Sequence, residues 1–304
     1  MEGCTVNSLI FAQNLTSVPK SFYPDCSITQ KYLNQFQYLS VSRSDSPSYV
    51  EGAIRRSQRF AGLKVTGRLN VATIRQMKMP RCGNPDGEEG STRRRRYKTR
   101  SKWRKTHLTY YIQHGSDLTR EAQNRIFAKA LKYWADASAL SFSLVNTASS
   151  ADLKISFGRK RHYGTSAERE CGSPFDGRGK VLAHAYFLSD GRAHFDEDET
   201  FTDGTSRGTN LLWVATHEFG HSLGLEHSSV RGAIMYPYYT GYKPNMKLHS
   251  DDIQGIRSLY GSGGGGGGGS GGCVDRDVRC KYWTGYCRSN QYVHKNCKKT
   301  CNIC

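Results

Sequence analysis

The sequence predicts one α+β domain, preceded by a small all-α region and followed by a small disulfide-rich module. Three observations predict this. Between residues 97 and 260, Leu108–Ile112 and Leu153–Phe157 have strand character, while Thr119–Ser138 carries apolar residues at helical spacing. Six of the ten cysteines fall within residues 273–304, a segment too short to bury a sufficient apolar core. A Gly/Ser run over 261–272 separates the two; its r.m.s. span of about 20 Å lets the last module move independently.

Residues 1–27 carry no assignable element. Leu9-Ile10-Phe11-Ala12 is shorter than a signal-peptide core and no Lys or Arg precedes it, so no clear signal peptide is visible. Over 28–96, three apolar stripes predict three helices: Tyr32, Leu33, Phe36 and Leu39; Ala53, Ile54, Phe60 and Leu63; and Val71 to Met77. Arg93-Arg94-Arg95-Arg96 follows a polar linker and suits either a polyanion-binding patch or the cut site of a furin-type convertase. In the 97–260 domain, the Thr119–Ser138 helix presents Ala122, Phe127, Ala130, Leu131 and Trp134. A second helix is predicted over about Asn210–Leu225, and a third after Ser250 as its cap.

The formal net charge is +18, shared by all three regions, which favours anionic partners such as acidic glycans. No nucleic-acid-binding motif accompanies the charge, so no nucleic-acid partner is expected. The cysteine-dense end argues against a cytosolic enzyme and for secretion. No apolar run approaches the roughly 18 residues of a membrane-spanning helix, so no membrane span is expected.

The most informative stretch runs from His217 through Glu218, His221 and Gly224 to His227. On a helix, His217 and His221 share a face and can hold one metal ion. Gly224 can take the left-handed turn that brings His227 round as a third ligand. Three imidazoles leave one tetrahedral position open, as in catalytic rather than structural zinc. Glu218 can take a proton from zinc-bound water and deliver it to a leaving amine.

This stretch, with Pro80-Arg81-Cys82-Gly83-Asn84-Pro85-Asp86, Leu182-Ala183-His184-Ala185, His194-Phe195-Asp196 and Ala233-Ile234-Met235-Tyr236-Pro237, resembles the matrix metalloproteinases, the matrixin branch of the metzincins. The resemblance covers about residues 28–260. The astacin type is disfavoured by Ser228, which stands where that group has Glu. The resemblance implies an α+β metzincin fold, with a mixed twisted sheet plus three helices. It also implies a zinc endopeptidase made as a latent zymogen, secreted to the extracellular matrix and acting on matrix or other extracellular proteins. Cys82 then fills the fourth zinc position in the latent form, Arg81 and Asp86 pair to hold that loop, and cutting after Arg96 releases activity. The new Tyr97 ammonium would pair with Asp251 or Asp252.

The resemblance also implies a structural zinc on His162, His184 and His194. The family's fourth ligand, an Asp, is replaced here by Gly164; Glu168, Glu170 and Cys171 follow in a longer loop, Cys171 being the strongest zinc donor among them. Calcium is implied at Asp176, Gly177, Gly179, Val181, Asp196 and Glu199. A further calcium site is damaged, with Arg192 where an Asp belongs. Substrate is expected to lie antiparallel to the Leu182–Phe187 strand, against a wall of Pro237-Tyr238-Tyr239. Trp213 would make the adjoining pocket shallow and selective for short apolar side chains.

Cysteines 273, 280, 287, 297, 301 and 304, with Asp275 and Trp283, resemble the ShK-toxin-like (ShKT) domain. Sequence alone allows 15 pairings; the resemblance implies Cys273–Cys304, Cys280–Cys297 and Cys287–Cys301. Channel-blocking members use Lys-Tyr where this chain has Gln291-Tyr292, so a docking module is expected. The alternative function is a ShKT-mediated binding protein or ion-channel modulator with the protease domain secondary.

Overall fold

A computed structural model describes residues 26–39, 47–86, 98–165 and 170–263 and, in the last module, 275, 277, 280, 282–287, 289–297, 300 and 301. Arg93–Arg96, Tyr97, Cys4, Glu168 and the Cys273–Cys304 pairing lie outside these residues. The chain forms two compact units, Met1–Ser262 and Gly263–Cys304.

The three N-terminal apolar stripes fold as α1 (Cys26–Gln35), α2 (Pro47–Phe60) and α3 (Val71–Met77). Leu39 lies past the end of α1: Gln37 takes a positive φ of 61° and the chain turns back, Tyr38 and Leu39 both donating to Leu33 O. Tyr32, Leu33, Phe36, Val50, Ala53, Ile54, Leu69 and Ile74 make one core, joined by Phe175 and Val181 of the following domain. Gln58, buried within it, is fully used: Nε2 donates to Arg68 O and Thr73 Oγ1, and Oε1 accepts from Thr66 and Gly67 N–H. The helical region is therefore packed onto the larger domain.

The sheet is built from β1 (Arg81–Cys82), β2 (His107–Ile112), β3 (Ser141–Leu144), β4 (Leu153–Gly158), β5 (Val181–Ala185) and β6 (Arg192–Asp196), in the order β1-β5-β6-β4-β2-β3. Only β5 and β6 pair antiparallel. Between β2 and β3, α4 (Arg120–Ala137) covers one face, burying Ile126, Phe127, Ala130, Leu131 and Trp134. Ala122, expected on that apolar stripe, is only half-buried. Neighbouring Gln123 takes the buried place by donating to Gly115 O and Leu118 O. A short pair, β7 (Phe201–Thr202) and β8 (Thr209–Asn210), leads into α5 (Leu211–Ser222). The last helix, α6 (Ser250–Tyr260), is capped by His249 and not by Ser250. His249 Nδ1 accepts from Asp251 N–H and Asp252 accepts from His249 N–H, which closes a reciprocal capping box.

The C-terminal unit contains α7 (Gln291–Asn296), with Asn290 accepting from Tyr292 and Val293 N–H. Cys280–Cys297 and Cys287–Cys301 are paired as the resemblance implies, around a core of Cys280, Val293 and Cys297. Among the described residues no helix is long and apolar enough to cross a membrane.

Candidate metal centres and active site

Helix α5 is buried along almost its whole length because Leu211, Trp213, Val214, Ala215 and Phe219 face the domain core. His217 and His221, one turn apart, place their rings 4.9 Å apart. Each is oriented through its far nitrogen: His217 Nδ1 lies 2.6 Å from Ile234 O and His221 Nδ1 2.7 Å from Leu225 O. Donation to those carbonyls leaves Nε2 of each ring as a lone-pair donor. Burial pushes both imidazoles well down toward the neutral form that a metal needs.

The chain leaves α5 through Gly224, at φ 102°, where a Cβ would stand 1.9 Å from Ser101 O. No side chain fits there. Gly224→Ala is expected to destabilise the domain by more than about 1 kcal/mol, read as a fall of a few degrees in Tm; an unchanged melting curve would contradict this close approach. The turn brings His227 beside the pair, with ring centroids 5.2 Å from His217 and 4.7 Å from His221. Cys82 Sγ completes the group, 3.5 Å from His221 Nε2, and all four ligand atoms lie within 4.8 Å of one another and are buried. Nε2 of His217 and Nε2 of His227 are buried without a hydrogen-bond partner. Orphaned nitrogens converging on a thiol are what a zinc ion would satisfy, so the residues fit that metal.

Glu218 is buried beside this group with Oε2 unpartnered, and burial pushes its carboxyl up to about 8. Beneath lies Met235, whose sulfur sits 2.2 Å from where a Cβ on Gly220 would be, so α5 rests on the turn at a glycine. That turn is fixed from α6: Asp252 accepts from Ile234, Met235 and His249 N–H. Asp251 is less fully used, since Ser228 Oγ donates to one oxygen and Oδ1 is buried without a partner.

Cys82 is seated as part of the sheet. Gly83 N–H donates to Ala183 O (2.8 Å), Cys82 N–H to Pro237 O (2.9 Å), and the Asn84 side chain exchanges two hydrogen bonds with the Ala185 backbone. Next to it, Arg81 and Asp86 form a bidentate pair (2.6 and 3.0 Å), both fully buried. Burial alone would raise Asp86, but Arg81 and His227 hold its carboxyl well below the usual range. His227 Nδ1 stands 2.8 Å from Asp86 Oδ1, and burial pushes this imidazole toward its neutral form. The pair sits in an aromatic box. The guanidinium lies 3.5 Å over the Phe36 ring, Arg81 Nη1 donates to Tyr32 OH, and Tyr38 OH donates to Asp86. Tyr32 OH also meets Tyr238 OH at 2.5 Å. In the sequence, Tyr32 and Phe36 read only as helix core, and neither Tyr38 nor the Asn84 side chain carries a role of its own. The i,i+4 spacing of Tyr32 and Phe36 was visible, but it looks the same whether the stripe faces its own core or another domain.

The second cluster arises from sheet register. His184 on β5 is directly opposite His194 on β6, and His162 follows the end of β4. His162 Nε2 is 3.0 Å and His184 Nε2 3.3 Å from His194 Nδ1. Cys171 joins them, with Sγ 3.2 Å from His184 Nε2, while Glu170 turns away to an ion pair with Arg161. These two groups are the ones in which three or more His, Cys, Asp or Glu donors converge among the described residues. The calcium-loop carboxylates do not close to that spacing. Gly177 and Gly179, both at φ 89°, shape a loop in which Asp176 accepts from Val181 N–H and Glu199 from Gly179 N–H. Asp196 Oδ2 is buried without a partner, and burial together with the Asp198 and Asp176 charges pushes that carboxyl up. A hard cation would relieve this, so the residues fit calcium. Asp152 pairs with Lys105, and Arg192 with Asp190. Trp213 is buried, stacked on His217 with ring planes 18° apart and edge-on to Tyr239.

Three family models match the chain: Matrixin over 102–261, "Putative peptidoglycan binding domain" over 23–77 and ShK domain-like over 272–304. The chain is 46% identical over 239 residues to "Hatching enzyme" of Paracentrotus lividus, covering 77% of this chain and 38% of that protein. It is 43% identical over 237 residues to human "Matrilysin", covering 76% and 84%, and 41% identical over 236 residues to human "Matrix metalloproteinase-19", covering 76% and 44%. It thus spans less than half the length of two of these relatives and most of the third. With the matched region holding the His217, His221 and His227 group, its Met235 floor and the five-stranded core of the sheet, the chain belongs to the matrixin family of metallopeptidases.

Proposed function

We propose that the protein is a secreted, zinc-dependent endopeptidase held latent by its own Cys82. The observation that carries this is the buried convergence of Cys82 Sγ with the nitrogens of His217, His221 and His227, next to an unpartnered Glu218. Zinc held by His217, His221 and His227 would supply Lewis-acid chemistry for hydrolysis of the scissile carbonyl. Glu218 takes the proton from the attacking water and passes it to the nitrogen of the leaving amine as the C–N bond breaks. The β5 edge and the Pro237–Tyr239 segment position the substrate backbone between them. β1 occupies that place in the latent form and runs parallel to β5, opposite to the antiparallel direction expected of substrate.

The domains divide as 28–96 propeptide, 97–260 catalytic domain, 261–272 linker and 273–304 ShKT module. A furin-type convertase cuts after Arg96, and the substrates are extracellular proteins. Of the two acidic residues considered for the new Tyr97 ammonium, Asp251 is favoured because its Oδ1 is free and Asp252 is saturated. His162, His184 and His194 hold a second, structural zinc, and Asp176, Asp196 and Glu199 with the Gly177, Gly179 and Val181 carbonyls hold calcium. Trp213 narrows the pocket beside His217. A peptide library should then be cut before short apolar residues; a preference for long aromatic side chains would contradict this.

Chelation tests the reading as a whole. Casein or gelatin cleavage by chain cut after Arg96 is expected to vanish with a strong zinc chelator and return on adding zinc. Cleavage that persists in the metal-free protein would overturn the proposal.

A further inference from the structure

The longer loop between β4 and β5 returns beside the second histidine cluster. Cys171 N–H donates to His162 O at 2.7 Å, and Tyr163 bridges Glu170 antiparallel just before it. This fold-back carries Cys171 from the surface loop into the interior, where it is 4% exposed. Three sides of the sulfur are lined by the His184 imidazole (3.2 Å), the Tyr186 hydroxyl (2.9 Å) and the Ser173 carbonyl (3.6 Å). It is the only cysteine between residues 97 and 260, and it forms no disulfide.

The spacing is that of ligands rather than packing. A tetrahedral zinc with bonds of about 2.0–2.3 Å has ligand–ligand edges of about 3.3–3.6 Å. The observed separations are 3.0, 3.3 and 3.2 Å, and all four ligand atoms lie within 4.8 Å of one another. His162 is already held in the matching tautomer, its Nδ1 lying 2.9 Å from Lys160 O so that Nε2 faces the cluster. Three imidazole nitrogens and one thiol thus converge on a single point.

We infer that the second metal centre is a three-imidazole, one-thiolate zinc site with Cys171 as its fourth ligand. This deepens the two-zinc reading and rests on it. The thiolate replaces the missing Asp at Gly164 in charge, so the centre keeps one anionic and three neutral ligands. It differs in softness: a sulfur ligand selects zinc and cobalt over the hard cations that suit the neighbouring calcium loop. The Tyr186 hydroxyl donates to the sulfur and orients it, as outer partners of metal ligands do.

Cobalt(II) replacing zinc in the full chain tests this, because thiolate-to-cobalt charge transfer absorbs in the near ultraviolet and an all-imidazole or carboxylate site gives no such band. Cys82→Ser removes the other thiolate. The Cys82→Ser chain is expected to bind two cobalt ions and keep one thiolate band. Cys82→Ser/Cys171→Asp, which restores a carboxylate and so protects folding, should bind two ions and lose the band entirely. Two bound ions without a band in Cys82→Ser overturn the inference. So does one bound ion with Cys171 alkylated by iodoacetamide in the folded protein, and in that case the proteinase reading stands. Failure to bind any ion at the His217 group would sink the proteinase reading itself.

Discussion

Glu218→Ala is expected to lower cleavage of casein or gelatin by chain cut after Arg96 about 10²–10⁴-fold, with zinc content unchanged. The side chain is buried and not one of the four converging donors, so removing it leaves the metal group intact while taking away the proton acceptor. A small neutral side chain in its place also relieves the cost of burying a carboxylate, so the Tm should hold or rise. Retained cleavage in a zinc-loaded variant would assign the proton transfer to another group. Loss of zinc together with activity would make Glu218 structural instead. The same experiment separates a working enzyme from a binding protein that keeps the protease domain as a scaffold.

Two substitutions should break latency in uncut chain. Cys82→Ser replaces a strong zinc ligand by a weak neutral one and should give an active, full-length protein. Arg81→Ala acts differently, because it leaves Asp86 buried without its guanidinium partner in the closed form only. Once the propeptide lifts away, water solvates that carboxylate. Breaking one partner of a buried pair costs about 3–5 kcal/mol, so the open fraction should rise on the order of 10²–10⁴-fold. The readout is peptide cleavage by protein that gels show to be still intact at Arg93–Arg96. Intact Arg81→Ala chain as silent as wild type would mean that Cys82 and the β1–β5 hydrogen bonds hold the propeptide without the ion pair. Tyr32→Phe should have a smaller effect, since it removes a hydrogen bond worth about 1 kcal/mol and keeps the ring beside Arg81.

The reason these effects differ in size also explains what could be read in advance. The His217–His227 spacing encodes its own geometry: one helical turn fixes the first two ligands, and Gly224 fixes the turn to the third. The Arg81–Asp86 pair and the Cys280–Cys297 and Cys287–Cys301 bridges are likewise where the resemblances put them. The aromatic box was not legible. Tyr32 and Phe36 belong to a stripe whose period reports a buried face and says nothing about which domain buries it. The cap of α6 fell one residue early, on His249, because an imidazole accepting a backbone N–H is rarer than a serine doing so. Cys171 was one of three candidates in a loop with no periodicity to place it.

Chemistry that lies within one or two turns of chain is written in residue order: helix, glycine turn, histidine spacing and the disulfide-dense end. Contacts between segments far apart in the chain come from the packing of the folded domain. That packing put Cys82 139 residues from His221 yet 3.5 Å from its nitrogen, set His184 opposite His194 by strand register, and chose Cys171 over Glu170 by folding one loop back against His162. The physical reason is that local periodicity is written in backbone geometry, whereas such long-range pairings follow from which surfaces bury best together.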